Sequence, residues 1–505
     1  MSDTPSKVHP SPDVAAPKPA SPTADMQNCT EKAAEDEFGP APDGGLKAWL
    51  VAAGAACTIF STLGFANSFG VLQEYYAAHQ LRGESADRIA WIGSLSAFLQ
   101  FAAGAIGGPL FDRYGAWVSI PSPPKYLGHA LTVIMQVIRP AAVAYIFALM
   151  MTSLCHAYWQ FMLAQGVLVG ITTGLLQFPA MAAVSQFFDK KRAAALGLAV
   201  SGSSIGGIVF PIALSKMLNS SSLGFGWSIR IIAFIMILPM IFSCLTVAAR
   251  LPPRTTTMFV GAAFKNPLYV MVNVAFFFML LGMFTPLFFI PTYAVSRGID
   301  ATLASYLVAI VNGASTFGRI IPGILADKFG RLNAFGIGGL VTGIIICCMN
   351  EATTTAGLVV YSVVFGFWSG TIISGGSAAI TLCVRRPQEF GTYLGMGIAG
   401  CGCAVLIGPP VSGVLVDRYG GFFELAVFSG VMCVVGGVVA YSSSIIHSTH
   451  YGTAFVVLVL GIGVETHPCP LPNHQSLYPR YHHLSTHSKH SAPEGYTPSV
   501  PANTH

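Results

Sequence analysis

The chain has 505 residues, of which 53% are hydrophobic and 9% charged, with a mean hydropathy of +0.63 and a formal net charge of +5. A soluble globular protein carries about 25% charged residues, so this composition excludes that class and describes a polytopic membrane protein. No charge run reads as a nucleic-acid surface, and no His, Cys or carboxylate cluster occupies the apolar spans, which argues against an enzyme.

In chain order, residues 1–45 are rich in Pro, Ala, Ser, Asp and Glu without apolar periodicity, which predicts a disordered cytoplasmic tail. The first apolar run starts too late and is too long for a cleavable signal, so the first span is expected to direct insertion itself. Apolar stretches of about 20 residues, enough to cross a bilayer core, lie near 48–72, 89–111, 136–155, 158–181, 193–216 and 229–249. A second set lies near 267–292, 300–325, 332–350, 355–381, 391–415 and 421–446. The expected fold class is an all-α membrane protein with twelve transmembrane helices in two pseudo-symmetric six-helix bundles, over 46–249 and 267–446. A basic cytoplasmic linker, 250–266, joins them.

The tail 447–505 carries nine of the thirteen histidines and a short apolar run, Ala454–Val464. Irregular His spacing and the Pro and Ser content predict disorder and no metal site. Cysteines are scattered through the spans as packing residues, and the pair Cys401 and Cys403 lacks further ligands near it. Most loop cations fall on one side, including Arg113, Lys190, Lys191, Arg192, Lys265, Lys328 and Arg331, so both termini are expected in the cytoplasm. A plasma membrane is expected, with an internal membrane such as the vacuole as the alternative. Asn219-Ser220-Ser221 is a glycosylation sequon in a predicted outer loop, close to the membrane.

One loop occurs twice. Gly108-Pro-Leu-Phe-Asp112-Arg113-Tyr-Gly115 and Gly323-Ile-Leu-Ala-Asp327-Lys328-Phe-Gly330 both read Gly-x-x-x-Asp-[Arg/Lys]-x-Gly after an apolar span, as expected of two homologous halves that rock around a central site. Residues 197–211 align with 395–409, placing Gly197, Gly202 and Pro211 on Gly395, Gly400 and Pro409. Such small residues allow close helix approach in lipid. Between matched anchors, Asp112 to Pro211 is 99 residues and Asp327 to Pro409 is 82, so the first half carries 17 extra. The interruption Pro121-Ser-Pro-Pro124-Lys125 places the surplus within 117–140, as an unusual loop or a translated intron. A third match, Gly413 to Gly420 with Asp417, follows the eleventh span and is expected to be a helix-end turn.

The duplicated loop resembles the signature of the major facilitator superfamily. Two further segments resemble its monocarboxylate porter family, fungal branch: Asp43-Gly44-Gly45-Leu-Lys47-Ala48-Trp49 before the first span, and Phe187-Phe188-Asp-Lys190-Lys191-Arg192-Ala-Ala-Ala195-Leu-Gly197 through Gly202-Ser203 at the fifth. The resemblance covers about 43–446. It implies the major facilitator fold and a conformational latch made of Gly108, Asp112, Arg113, Gly323, Asp327 and Lys328.

Arg319 is the one basic residue deep in a span, and a charge there should face a cavity or a partner. The resemblance matches it to an eighth-helix Arg that holds a substrate carboxylate, a role suited to the guanidinium fork. The alternative is that it snorkels toward Asp327 and braces the loop. Asn67 and Ser315 stand where animal members carry a Lys and an Asp, which removes the pair that their proton–lactate coupling uses. Asn67, Asn312, Ser315 and Trp368 complete the expected substrate-binding set with Arg319. Gln165, Gln177 and Asn273 are read first as helix–helix hydrogen bonds.

The function expected from these residues is secondary active transport of a small, anionic organic solute by alternating access. Export of a fungal secondary metabolite is the alternative direction, and a transporter-like nutrient sensor the alternative of another class. A small-molecule substrate and the bilayer are the expected partners, with no nucleic acid and no cofactor or metal; proton coupling is left open.

Overall fold

The structure, a computed structural model, describes residues 39–114, 137–219, 222–251, 259–384 and 386–450, all within the unit Met1–Ala454. Among the described residues, eleven helices are long and apolar enough to cross a membrane, and Ile138–Thr152 is a further, shorter apolar helix. In chain order they are α1 (Gly45–Ala78), α2 (Arg88–Arg113), α3 (Ile138–Thr152), α4 (Tyr158–Phe187), α5 (Arg192–Asn219) and α6 (Gly224–Thr246). The second set is α7 (Pro267–Ser296), α8 (Tyr306–Phe329), α9 (Arg331–Glu351), α10 (Thr355–Cys383), α11 (Pro387–Tyr419) and α12 (Phe423–Ile446). No strand occurs among the described residues. Only a helix satisfies its own backbone in lipid, and these runs have the length to do so.

Two local departures from regular helix matter. The first span breaks at residues 67–68, between Gly45–Ala66 and Phe69–Ala78, which brings the Asn67 side chain to the carbonyl of Ser203 on α5 at 3.4 Å. In α4, Met162–Val169 is a π-helical turn whose Gln165 accepts a 2.6 Å hydrogen bond from the Tyr76 hydroxyl. Gln165 is thus a helix–helix bond, as its residue type suggests. Gly420 ends α11 in the left-handed conformation (φ 67°) with Asp417 exposed, so the third loop match is a helix-end turn.

The bundles meet along two pairs of helices, α2 with α11 and α5 with α8. Both crossings are made by small residues. A Cβ on Gly108 would lie 1.9 Å from the Gly391 carbonyl oxygen, and one on Gly197 would lie 2.3 Å from that of Arg319. Backbones in such contact gain dispersion energy along their whole length, which drives helix association in lipid. The glycines matched by sequence are not equivalent in packing. Gly202 presses on the Ala56 carbonyl of α1, with 2.1 Å left for a Cβ, whereas its mate Gly400 has open space.

The segment 115–136, which holds most of the surplus 117–140, lies outside the described residues, as do 1–38, 252–258 and 451–505. The helix starts still locate the surplus. Tyr158 lies 46 residues after Asp112, whereas Thr355 lies 28 after Asp327, so the extra length is present before α4 begins. The described residues reach into both expected tails. Residues 39–45 are tied down: Arg250 Nη2 donates to the carbonyls of Gly39 (2.8 Å) and Pro40 (2.7 Å). At the other end the last helix runs on to His450.

Candidate substrate cavity and its latch

The two Asp loops perform the same act on opposite bundles. Asp112, 4% exposed, accepts from the backbone amides of Gly391 (3.1 Å) and Thr392 (2.6 Å) and from the Thr392 hydroxyl (2.7 Å) at the start of α11. Asp327 accepts from the amides of Ala193 (3.0 Å) and Ala194 (2.9 Å) at the start of α5. The first amides of a helix have no partner within it, and the helix dipole adds positive potential there, so a carboxylate suits both places. Each loop caps a helix of the other half, tying the two bundles together at one end.

Cations surround the capping carboxylates at differing depths. Lys328 is exposed, and the cation on Asp327 is Arg331, the first residue of α9, at 3.1 Å. Asp327 lies in the last turn of α8 and Arg331 opens α9; Gly330 between them, at φ 101°, reverses the chain and brings the Arg331 guanidinium back onto the carboxylate. Arg113 is likewise exposed. Arg331 also donates to the Asp189 carbonyl. Arg192 joins the closure by pairing with Asp189 (3.1 Å) and by placing its guanidinium 4.5 Å from the Phe390 ring centroid across the bundles.

The two family-like signatures are one structure. Asp43 Oδ1 accepts from the amides of Asp189 (2.6 Å) and Lys191 (3.3 Å), and the Asp43 amide donates to the Phe187 carbonyl (3.1 Å). Trp49 packs on Phe188 with ring centroids 5.0 Å apart. Gly45 holds φ 82°, a conformation that costs other residues; Gly44 is nearly extended. The first signature therefore braces the turn that launches α5, whose amides Asp327 then caps. Lys190 is exposed in that turn.

Between the bundles lies a cavity. Asn67 from α1, Val200 and Ser203 from α5, and Asn312, Ser315 and Arg319 from α8 line one part of it. Phe276, Leu280, Met283, Phe284 and Leu287 of α7, with Phe101, Met181, Phe365, Ile373 and Ile398, make the rest largely apolar. Arg319 is the single ionisable group among the described lining residues.

Arg319 is 5% exposed; its Nη1 donates to the Val200 carbonyl (2.8 Å) and to the Ser203 hydroxyl, and its Nε is buried without a hydrogen-bond partner among the described residues. A buried donor left unpaired costs about 1–3 kcal/mol, so the guanidinium retains capacity for an acceptor. It points across to α5 and does not brace Asp327, which is served by Arg331.

Of the expected substrate residues, Asn67, Asn312, Ser315 and Arg319 come together here. Asn312, Ser315 and Arg319 share one face of α8 at i, i+3 and i+7. Trp368 does not join them. The cavity face of α10 is Phe365, Ser369, Ile373 and Ser377, one residue every turn, and Trp368 falls one position off, its ring edge-on to Phe367. Gln177 also lines the cavity while accepting from Gln100 (3.1 Å). Asn273 bonds its own helix at the Tyr269 carbonyl (2.7 Å). Cys401 is buried and Cys403 exposed, so they face different ways. Asn219 is exposed at the end of α5, while Ser220 and Ser221 lie outside the described residues.

Sequence reasoning did not pick out Val200 and Ser203 as the partners of Arg319, for which no sequence signal stands out, nor Thr392 as a partner of Asp112. For Thr392 the signal was available in the alignment of 197 with 395, which puts Ala193 and Ala194 on Gly391 and Thr392, the two pairs of capped amides.

The sequence profile of the Major Facilitator Superfamily matches residues 54–349 and 272–451. The chain is 47% identical to the "Aspyridones efflux protein apdF" of Emericella nidulans over 415 residues, 82% of this chain and 81% of that protein. It is 37% identical to the "Agnestins efflux protein AgnL12" of Paecilomyces divaricatus, over 78% of this chain and 86% of that one. The fold is shared with the major facilitator transporter FucP in the outward conformation, at a TM-score of 0.59 and 16% identity, over 78% of this chain and 99% of that one. The helix order, the doubled Asp latch and these matches agree: the chain belongs to the Major Facilitator Superfamily and is a multi-pass membrane transporter of small molecules.

Proposed function

We propose that this transporter exports a fungal secondary metabolite with an acidic head and a sizeable apolar body. The observation that carries the reading is the lone guanidinium of Arg319 in a cavity otherwise walled by Phe, Leu, Met and Ile. An anionic or weakly acidic head would take the guanidinium, and the aromatic and aliphatic wall would take the body. Relatives named for the efflux of aspyridones and agnestins support the outward direction. Asn67 and Ser315 place no second ionisable group beside Arg319, which speaks for an organic anion of its own kind over coupled lactate transport. The signatures at 43–49 and 187–203 favour the monocarboxylate porter branch, with the latch side and both termini cytoplasmic and the plasma membrane as the site. On this reading Asp112 and Asp327 stabilise the state closed to the cytoplasm.

The test compares metabolites in medium and cells of strains with and without the gene. Export predicts a compound that moves from medium to cells on deletion and returns with the parent gene but not with Arg319→Ala. An unchanged distribution would overturn the reading; a carboxylate accumulating in the medium of the deletion strain would reverse its direction.

A further inference from the structure

Arg319 belongs to the C-terminal bundle, yet both bonds of its Nη1 go to α5 of the N-terminal bundle, to the Val200 carbonyl and the Ser203 hydroxyl. Both acceptors are neutral. Ser203 is itself held by Asn67, which donates to its carbonyl. The reach across depends on the tight α5–α8 crossing, where Gly197 lies against the Arg319 carbonyl and Gly323 lies against Ala193. Two turns along, Asp327 fastens the same pair of helices by capping Ala193 and Ala194. Opening the latch side must part α5 from α8 at this end, and the guanidinium then loses both acceptors while still inside the cavity.

A guanidinium released from its neutral acceptors is an anion site, since its planar fork can engage both oxygens of a carboxylate in a bidentate, charge-assisted pair. Closing the latch returns the Ser203 hydroxyl and the Val200 carbonyl to it. We propose that Ser203, with the Val200 carbonyl, is a built-in competitor for the anionic head of the cargo: latch closure transfers Arg319 from cargo to α5 and lowers affinity in the state that releases. The direction of release rests on the export reading above. The exchange gives the empty carrier a way to hold the one ionisable group of its described cavity lining, since a buried charge without partners is costly. Ser203 is in this sense a positioning residue.

The experiment uses the full chain in lipid, with spin labels on unnatural side chains at Leu46 and Lys265, exposed residues at the latch-side ends of the two bundles. The distance distribution reports the ratio of latch-open to latch-closed molecules without any cargo. Loss of one hydrogen bond to a charged donor should raise the open fraction of Ser203→Ala roughly tenfold, and Ser203→Thr, which keeps the hydroxyl, should restore the parent ratio. In an Arg319→Ala background, Ser203→Ala should change nothing further. Sodium 1-naphthoate, an aryl carboxylate, should shift the parent toward open and leave Arg319→Ala unmoved. An unaltered ratio in Ser203→Ala, an effect that persists without Arg319, or a parent indifferent to naphthoate would each overturn the exchange. None of these readouts depends on export, so the metabolite comparison can fail or hold separately.

Discussion

Asp112→Ala removes the carboxylate that ties α2 to the start of α11. Three hydrogen bonds disappear, those from the amides of Gly391 and Thr392 and from the Thr392 hydroxyl. Each bond to a charged acceptor contributes about 1.5–3 kcal/mol, and the carboxylate gains about 0.3–1 kcal/mol more from the helix dipole. All three donors hydrate once the latch opens, so the sum is not additive. A net loss of about 3 kcal/mol is expected, which at 1.4 kcal/mol per decade moves the latch equilibrium about a hundredfold toward open. The amides of 391 and 392 exchange with solvent only through that opening, which makes hydrogen–deuterium exchange of peptides spanning 388–396 the direct assay. Exchange there should accelerate by about two orders of magnitude in Asp112→Ala and by about one in Thr392→Val, which deletes a single bond. Exchange matching the parent in Asp112→Ala would refute the reasoning, since it would mean that the cap does not hold the interface.

Gly108→Ala forces a methyl into 1.9 Å of space beside the Gly391 carbonyl, so purified protein should remain folded by size exclusion while export falls by about tenfold or more; Gly400→Ala, with no atom within 4 Å, should transport like the parent. Arg319→Ala should abolish export, and Arg319→Lys should not rescue it because an ammonium lacks the fork. Trp368→Ala should stay within about twofold of the parent, as expected of a side chain that does not line the cavity. Asp43→Ala loses the acceptor for the Asp189 and Lys191 amides and should lower stability by about 1 kcal/mol, visible as a reduced midpoint in a thermal-shift assay; an unmoved midpoint would count against the brace.

The twelve spans were legible because a helix in lipid needs only length and apolarity, both of which are local properties of the chain. Repetition carried the next level. The doubled Gly-x-x-x-Asp loop and the alignment of 197 with 395 indicate two related halves, and the structure places both Asp residues in related caps. Arg319 could be singled out because a lone charge in an apolar span demands a reason. Asn67, Asn312 and Ser315 gather around it, as their spacing along α8 and the break in α1 allow.

What the chain order could not supply was the identity of partners hundreds of residues apart. Lys328 neighbours Asp327 in sequence but is exposed, and the turn at Gly330 brings Arg331 of the next helix onto the carboxylate. Trp368 reads like an aromatic wall until a single step of about 100° takes it off the cavity face. Gly202 and Gly400 are equal in alignment and unequal in contact, because packing depends on which helix lies opposite. The composition, the spans and the repeat were therefore determined by sequence alone. Which amides the latch caps, and that Arg319 is held by Val200 and Ser203 of the other bundle, was decided only when the two halves closed on each other.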